Sequence, residues 1–178
     1  AHRVPIVFTS AGNPATHTKR LKSHDITVVH VVSSTKFAKK AEAAGVDAIV
    51  AEGFEAGGHN GREESTTMTL IPSIRRSTHL PLIAAGGIAT GRGMLAAMIL
   101  GADGVQLGSR FVASEEGSAH INFKHSVIQA KEGDTELTLK ELTPVRLMKN
   151  KFYHQLKQLY SEGASVEDLK AHLGRARA

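Results

Sequence analysis

The sequence contains no cysteine and no tryptophan, and only 4% of its 178 residues are aromatic. Without cysteine, the chain has no disulfides, no thiolate nucleophile and no cysteine-ligated zinc or iron–sulfur site. The scarcity of aromatic side chains argues against base stacking on single-stranded nucleic acid. No apolar run approaches the roughly 20 residues that span a bilayer. We therefore expect a cytoplasmic protein that binds neither nucleic acid nor membrane.

The composition is that of a globular domain with a basic surface. Apolar residues make up 41% of the chain and charged residues 22%, which is typical of folded proteins. The formal net charge is +5, but lysine and arginine are scattered and form no single basic motif. The positive net charge is best explained by an ordinary charged surface. Attraction to an anionic cofactor or an acidic partner is the second interpretation.

Short apolar runs alternate with helical segments through the first part of the chain. Strands are predicted at residues 4–8, 26–32, 48–51, 80–85 and 104–107. Helices are predicted at residues 37–44, 68–76 and 91–100. This alternation predicts an α/β fold of parallel βα units. A glycine, any residue and an aspartate precede a strand at both 45–47 and 101–103, and such repetition favours a barrel over a doubly wound sheet.

The number of strands falls short of a closed barrel. A (β/α)8 TIM barrel needs eight strands and about 250 residues. Either the sheet is open, or residues 1–113 are the C-terminal five or so βα units of a barrel whose other strands precede them. Residues 114–178 read as a helical C-terminal extension that packs on the barrel, with helices at 121–131 and 150–160 and a capping box at 165–168.

Small residues follow the predicted strands, notably Gly57–Gly58, Gly86–Gly87 and Gly108–Ser109. Ligands bind at the C-terminal strand ends of parallel α/β folds, and glycine lets backbone N–H groups approach an anion. Any one of these pairs taken alone is best interpreted as a tight turn between a strand and a helix. The last two pairs follow adjacent strands and, together with the polar side chains of Gln106 and Ser109, favour a phosphate site.

His59 differs from the other histidines in its setting. It lies in EGFEAGGHNG (52–61), beyond a strand end and close in sequence to Glu52 and Glu55. Because imidazole titrates near neutral pH, it is a natural general base. The alternative is an ordinary histidine in a flexible surface turn. No metal site is predicted, since His59 and these two carboxylates lack a standard ligand spacing.

Three segments carry a family resemblance: VFTSAGNP (7–14), EGFEAGGHNG (52–61) and PLIAAGGIATGRGMLAAMILGADGVQLGSRF (81–111). They resemble the FMN-dependent nitronate monooxygenases, also called 2-nitropropane dioxygenases, a family that also holds FMN-dependent enoyl-(acyl carrier protein) reductases. The resemblance implies an oxidoreductase with a TIM barrel and with FMN at the C-terminal strand ends. It makes His59 the catalytic base. The cofactor-binding set that it implies is Glu52, Gly57, Gly58, Gly86, Gly87, Gln106, Leu107, Gly108 and Ser109.

The residue type at position 52 helps to predict the substrate. The monooxygenases usually carry glutamine at this position and the reductases glutamate, and residues 10–14 and 66–70 also resemble the reductase branch. The substrate implied is an alkyl nitronate or an enoyl thioester, the latter with NADH or NADPH as electron donor. The resemblance also allows an acidic acyl carrier protein as partner, to which a basic surface would be suited, and a homodimer.

The family's N-terminal strands have no counterpart in this sequence, so we expect the natural protein to contain an earlier portion. A chain without them would bind FMN poorly and expose apolar strand edges. Two alternatives stay open. One is a non-redox phosphate-binding TIM-barrel enzyme, and the other is a flavinless truncated remnant that acts as a binding module.

Overall fold

The computed structural model describes residues 4–173, which divide into two compact units. The first unit holds residues 4–56 and 63–107, and the second holds residues 57–62 and 108–173. The observed division therefore differs from the boundary predicted after residue 113, because the segment around His59 belongs to the C-terminal unit. Within residues 4–173, no helix is long and apolar enough to cross a membrane.

The described residues of the first unit form five strands and four helices. The strands are β1 (Ile6–Thr9), β2 (Thr27–Val32), β3 (Ala48–Glu52), β5 (Leu82–Ala85) and β6 (Gly104–Gln106), while β4 (Gly58–His59) lies in the second unit. The helices are α1 (Ala15–Lys22), α2 (Thr35–Ala43), α3 (Thr67–Arg75) and α4 (Gly91–Ile99).

The five strands of the first unit form one parallel sheet in the order β1-β2-β3-β5-β6. Each strand is followed by a helix or turn that leads to the next, which is the connectivity of a (β/α)8 barrel. The prediction of an α/β fold with about five βα units is thereby confirmed. The outer strand β1 keeps Ile6 49% and Phe8 54% exposed, so its apolar side chains are only partly covered.

Alternate residues of the strands face two different layers of core. One layer contains Val28, Ile49, Leu82 and the helix residues Ile71 and Ile74. The opposite face of the sheet buries Val29, Val50 and Ala85 together with Ala48. Because both faces are buried, the strands read as continuous apolar runs, as expected of a parallel sheet.

The repeated aspartate before a strand has the same structural role at both of its occurrences. The Asp47 carboxylate accepts a hydrogen bond from the Val28 N–H at 2.9 Å and pairs with Lys22. The Asp103 carboxylate accepts from the Leu82 N–H at 2.8 Å and pairs with Arg75. Each aspartate thus joins the start of its own strand to the start of a neighbouring strand and to a helix.

The second unit is partly β-structure, which corrects the expectation of a helical extension. Strand β8 (Val145–Met148) pairs antiparallel with both β7 (Thr135–Thr138) and β4. The helices are α5 (Ser109–Val112), α6 (Ile121–Gln129), α7 (Lys151–Ser161) and α8 (Val166–Leu173). The core of this unit contains Leu139, Val145, Leu156 and Leu169.

The predicted capping box at the start of α8 is confirmed. The Ser165 N–H donates to the Asp168 carboxylate at 2.9 Å, and the Asp168 N–H donates to the Ser165 hydroxyl at 3.2 Å. This reciprocal pair satisfies backbone donors that a helix start leaves without partners. That the C-terminal unit packs on the barrel stays a prediction.

Candidate functional site

Four of the predicted site residues lie in or beside one row across the parallel sheet. Glu52 at the end of β3 is aligned with Ala85 of β5, and Ala85 is aligned with Gln106 of β6. Gly86 and Leu107 each follow these aligned residues directly in the chain. The C-terminal ends of β3, β5 and β6 therefore bring a carboxylate, a glycine turn and an exposed amide to the same edge of the sheet.

The turn after β5 requires glycine. Gly86 has φ +104° and Gly87 has φ +67°, conformations that residues with a Cβ rarely adopt. A Cβ at Gly86 would lie 2.8 Å from the Gly53 carbonyl oxygen and 2.9 Å from the Thr67 hydroxyl. Gly86 is therefore fixed both by its backbone conformation and by the close approach of the loop after β3.

A hydrogen-bonded link holds this turn to the loop after β3. The Thr67 N–H lies 3.0 Å and 3.1 Å from the two carboxylate oxygens of Glu55. The Thr67 hydroxyl is 3.0 Å from the Glu55 carboxylate and 2.9 Å from the Gly86 carbonyl oxygen. Since a hydroxyl donates only one hydrogen, these two acceptors share it, and Thr67 connects the ends of β3 and β5.

Sequence reasoning missed the role of Thr67. A signal was available, because Thr66 and Thr67 stand directly before the apolar residues of α3, and threonine at a helix start commonly makes local hydrogen bonds. The partners of Thr67, however, lie 12 and 19 residues away. No local pattern specifies contacts at such separations.

Glu52 is a half-buried carboxyl at the end of a core strand. Burial raises the pKa of the Glu52 carboxyl above its ordinary value, because removal from water disfavours the charged form. Carboxyl groups with raised pKa values are found preferentially at functional sites, and Glu52 also belongs to the predicted cofactor-binding set.

Replacing Glu52 with glutamine is expected to stabilise the fold at neutral pH. Because the pKa of the Glu52 carboxyl is higher in the folded than in the unfolded state, its protonation favours folding. This contribution to stability is complete below the unfolded-state pKa and is lost as pH rises through the folded-state pKa. We expect Glu52→Gln to melt above the unsubstituted protein at pH 7 and to lose that advantage near pH 4, about the ordinary glutamate pKa. Thermal melts across this range, with the exposed Glu132→Gln as control, measure the difference, and equal melting at pH 7 would contradict the expectation.

His59 lies in the two-residue strand β4 of the second unit and is exposed. It pairs with Val145 of β8, and Gly58 pairs with Arg146. The remaining predicted residues of this unit, Gly57, Gly108 and Ser109, are also exposed. An exposed histidine can exchange protons with a small molecule, whereas a histidine enclosed in the core could not.

The backbone at three of the predicted glycines has open space beside it. A Cβ built at Gly57, Gly58 or Gly108 would meet no heavy atom of the described residues within 4 Å. Within the first unit, the exposed amide of Gln106 and the glycine turn after β5 fit a phosphate approached by main-chain N–H groups. Within the second unit, the open space beside these glycines and the exposed hydroxyl of Ser109 suit the same kind of ligand. The residues present are therefore compatible with the FMN that the resemblance implies.

A family model described as nitronate monooxygenase matches residues 1–176. Among curated proteins, a "Probable nitronate monooxygenase" of Staphylococcus saprophyticus is 38% identical over 171 residues, covering 89% of this chain and 48% of that relative. The chain thus spans about half the length of the curated relatives it matches.

Two solved structures are similar in both sequence and fold. FabK from Thermotoga maritima is 44% identical with a TM-score of 0.84, covering 89% of this chain and 51% of that chain. A nitroalkane oxidase from Streptomyces ansochromogenes is 29% identical with a TM-score of 0.74, covering 85% and 47% respectively. The resemblance inferred from the three sequence segments is thereby confirmed.

Proposed function

Because the chain belongs to the nitronate monooxygenase family, we propose that its natural protein is an FMN-dependent oxidoreductase with His59 as catalytic base. The observation that carries the proposal is the row Glu52, Ala85 and Gln106. It aligns three strand ends at the edge of the sheet where parallel α/β folds bind ligands. A glycine turn follows the middle strand of the row.

We assign the following roles to the chain's own residues. Gly86, Gly87 and Gly108 let the backbone approach the cofactor, and Gln106 and Ser109 offer hydrogen bonds to its polar groups. Bound FMN would carry the electrons of the reaction. The imidazole of His59 holds or moves the substrate proton that accompanies electron transfer.

Two substrate classes have separate support. The family model and the curated relatives support oxidation of an alkyl nitronate. Glu52 stands where the reductase branch usually carries glutamate, and this supports reduction of an enoyl thioester by NADH or NADPH. For the second substrate class, an acyl carrier protein is the proposed partner.

Anaerobic mixing of the flavin-loaded natural gene product with each reductant distinguishes these substrates. Visible absorbance that bleaches with NADH or NADPH and returns on addition of an enoyl thioester supports the reductase. Absorbance that persists with NAD(P)H but bleaches with an alkyl nitronate supports the monooxygenase. If neither reductant bleaches a flavin-loaded, folded protein, the proposed function is wrong.

A further inference from the structure

The strand that carries His59 has little support from its own sequence. β4 contains only Gly58 and His59, and Gly57 and Gly61 stand close on either side. Glycine leaves the backbone free to adopt many conformations, and a pairing of two residues makes few hydrogen bonds. The position of the imidazole must therefore be fixed by contacts outside the strand.

Strand β8 supplies the first of these contacts. His59 pairs with Val145, which is 2% exposed and belongs to the core of the second unit. Immediately after the pairing, the Asn60 N–H donates to the Pro144 carbonyl oxygen at 2.8 Å. The Asn60 side-chain amide donates to the Gly58 carbonyl oxygen at 3.1 Å. The histidine strand is thus attached to strand β8, whose Val145 lies in the core of the C-terminal unit.

Arg62 makes a second attachment three residues after His59. One guanidinium nitrogen, Nη1, donates to the Lys140 carbonyl oxygen at 3.4 Å, and the other, Nη2, donates to the Leu142 carbonyl oxygen. Both carbonyls belong to the turn between β7 and β8. Arg62 therefore holds the end of the histidine segment to the turn that precedes the strand with which His59 pairs.

We propose that Arg62 is a positioning residue for His59, and this inference rests on the proposed catalytic role of that histidine. The planar guanidinium presents several donors in a fixed fork and can hold two carbonyls at once. A lysine at this position would keep the charge but would present one flexible ammonium. The role that we assign is therefore geometric, and it makes the turn between β7 and β8 part of the support for the imidazole.

The test compares Arg62→Lys and Arg62→Gln in the natural gene product. Small displacements of a reacting group can lower rates up to about 100-fold, so we expect both variants to lose about 10- to 100-fold in kcat. We expect KM and bound flavin to stay unchanged, because the Arg62 guanidinium donates to the carbonyl oxygens of Lys140 and Leu142, which lie outside the proposed cofactor-binding set. Arg76→Gln, which removes an exposed arginine at the end of α3, is the matched control.

A second readout does not depend on activity. Hydrogen exchange of the Asn60 N–H reports the pairing beside His59, and we expect it to be faster in both Arg62 variants, with or without flavin. If kcat and Asn60 exchange both match the unsubstituted protein, the inference is overturned. A variant Arg62→Lys that behaves like the unsubstituted protein while Arg62→Gln is impaired would also overturn it, because charge would then suffice.

The two proposals fail in distinguishable ways. If His59→Ala is as active as the unsubstituted protein, the catalytic role of His59 is wrong, and with it the positioning role of Arg62. If His59→Ala is inactive and the Arg62 variants keep full kcat, only the positioning inference is wrong.

Discussion

His59→Ala in the natural gene product is expected to retain its flavin and to lose about 10²- to 10⁴-fold in turnover, the usual contribution of a general base. We expect turnover to fall without a loss of folding because of where His59 lies in the structure. His59 is exposed in β4 and contributes no side chain to the core of the second unit. Its removal therefore leaves no cavity and should not disturb folding.

Steady-state kinetics and the visible spectrum measure this effect together. His79→Ala is a suitable control, because His79 is also exposed and lies outside the proposed cofactor-binding set. Turnover by His59→Ala within about twofold of the His79→Ala control would reject the role of the imidazole, since a general base contributes about 100-fold or more.

Gly86→Ala is expected to destabilise the first unit and to abolish flavin binding. The added Cβ would occupy a backbone conformation of φ +104° and would lie 2.8 Å from the Gly53 carbonyl oxygen. Such strain and overpacking cost about 3 kcal/mol together. For a chain of 178 residues, that loss lowers the melting temperature by about 6–12 °C.

Thermal melts and flavin titration test this prediction, with Gly91→Ala as the control. Gly91 begins α4, has no positive φ, and a Cβ there would meet no described atom within 4 Å. We expect Gly91→Ala to melt at or slightly above the unsubstituted protein, because alanine favours helix. Equal melting of the two variants would show that the turn after β5 does not require glycine.

The sequence predicted the sheet of the first unit well because the relevant signals are local. Residues 48–51 form an apolar run between a helix-ending glycine and a loop, and they became β3 with one further residue, Glu52. Gly86–Gly87 follows a strand and precedes a helix, so its place at a strand end could be predicted. The aligned row from Glu52 to Gln106 then follows from strand order.

Elements that depend on distant partners could not be predicted. In α1, ATHTKRLK, Leu21 is the single large apolar residue, and Lys22 of this helix pairs with Asp47, 25 positions away in the sequence. β7 contains one large apolar residue, Leu137, and exists through its pairing with β8.

The same limit applied to the environment of His59. The glycine-rich segment 52–61 identified the histidine, but its pairing with Val145 and the contacts of Arg62 reach across the sequence. The bond from Arg62 to Lys140 joins residues 78 positions apart. Residues 114–178 therefore read as packing only, although part of this segment forms the sheet that holds the histidine strand.

The aligned strand ends of the first unit are proposed to belong to an FMN site. The most direct test is the visible absorption spectrum of the purified natural gene product, combined with the mass of any chromophore released on denaturation. We expect the absorption bands of an oxidised flavin and the mass of FMN. A folded protein that is colourless as purified and takes up no added FMN would contradict this proposal.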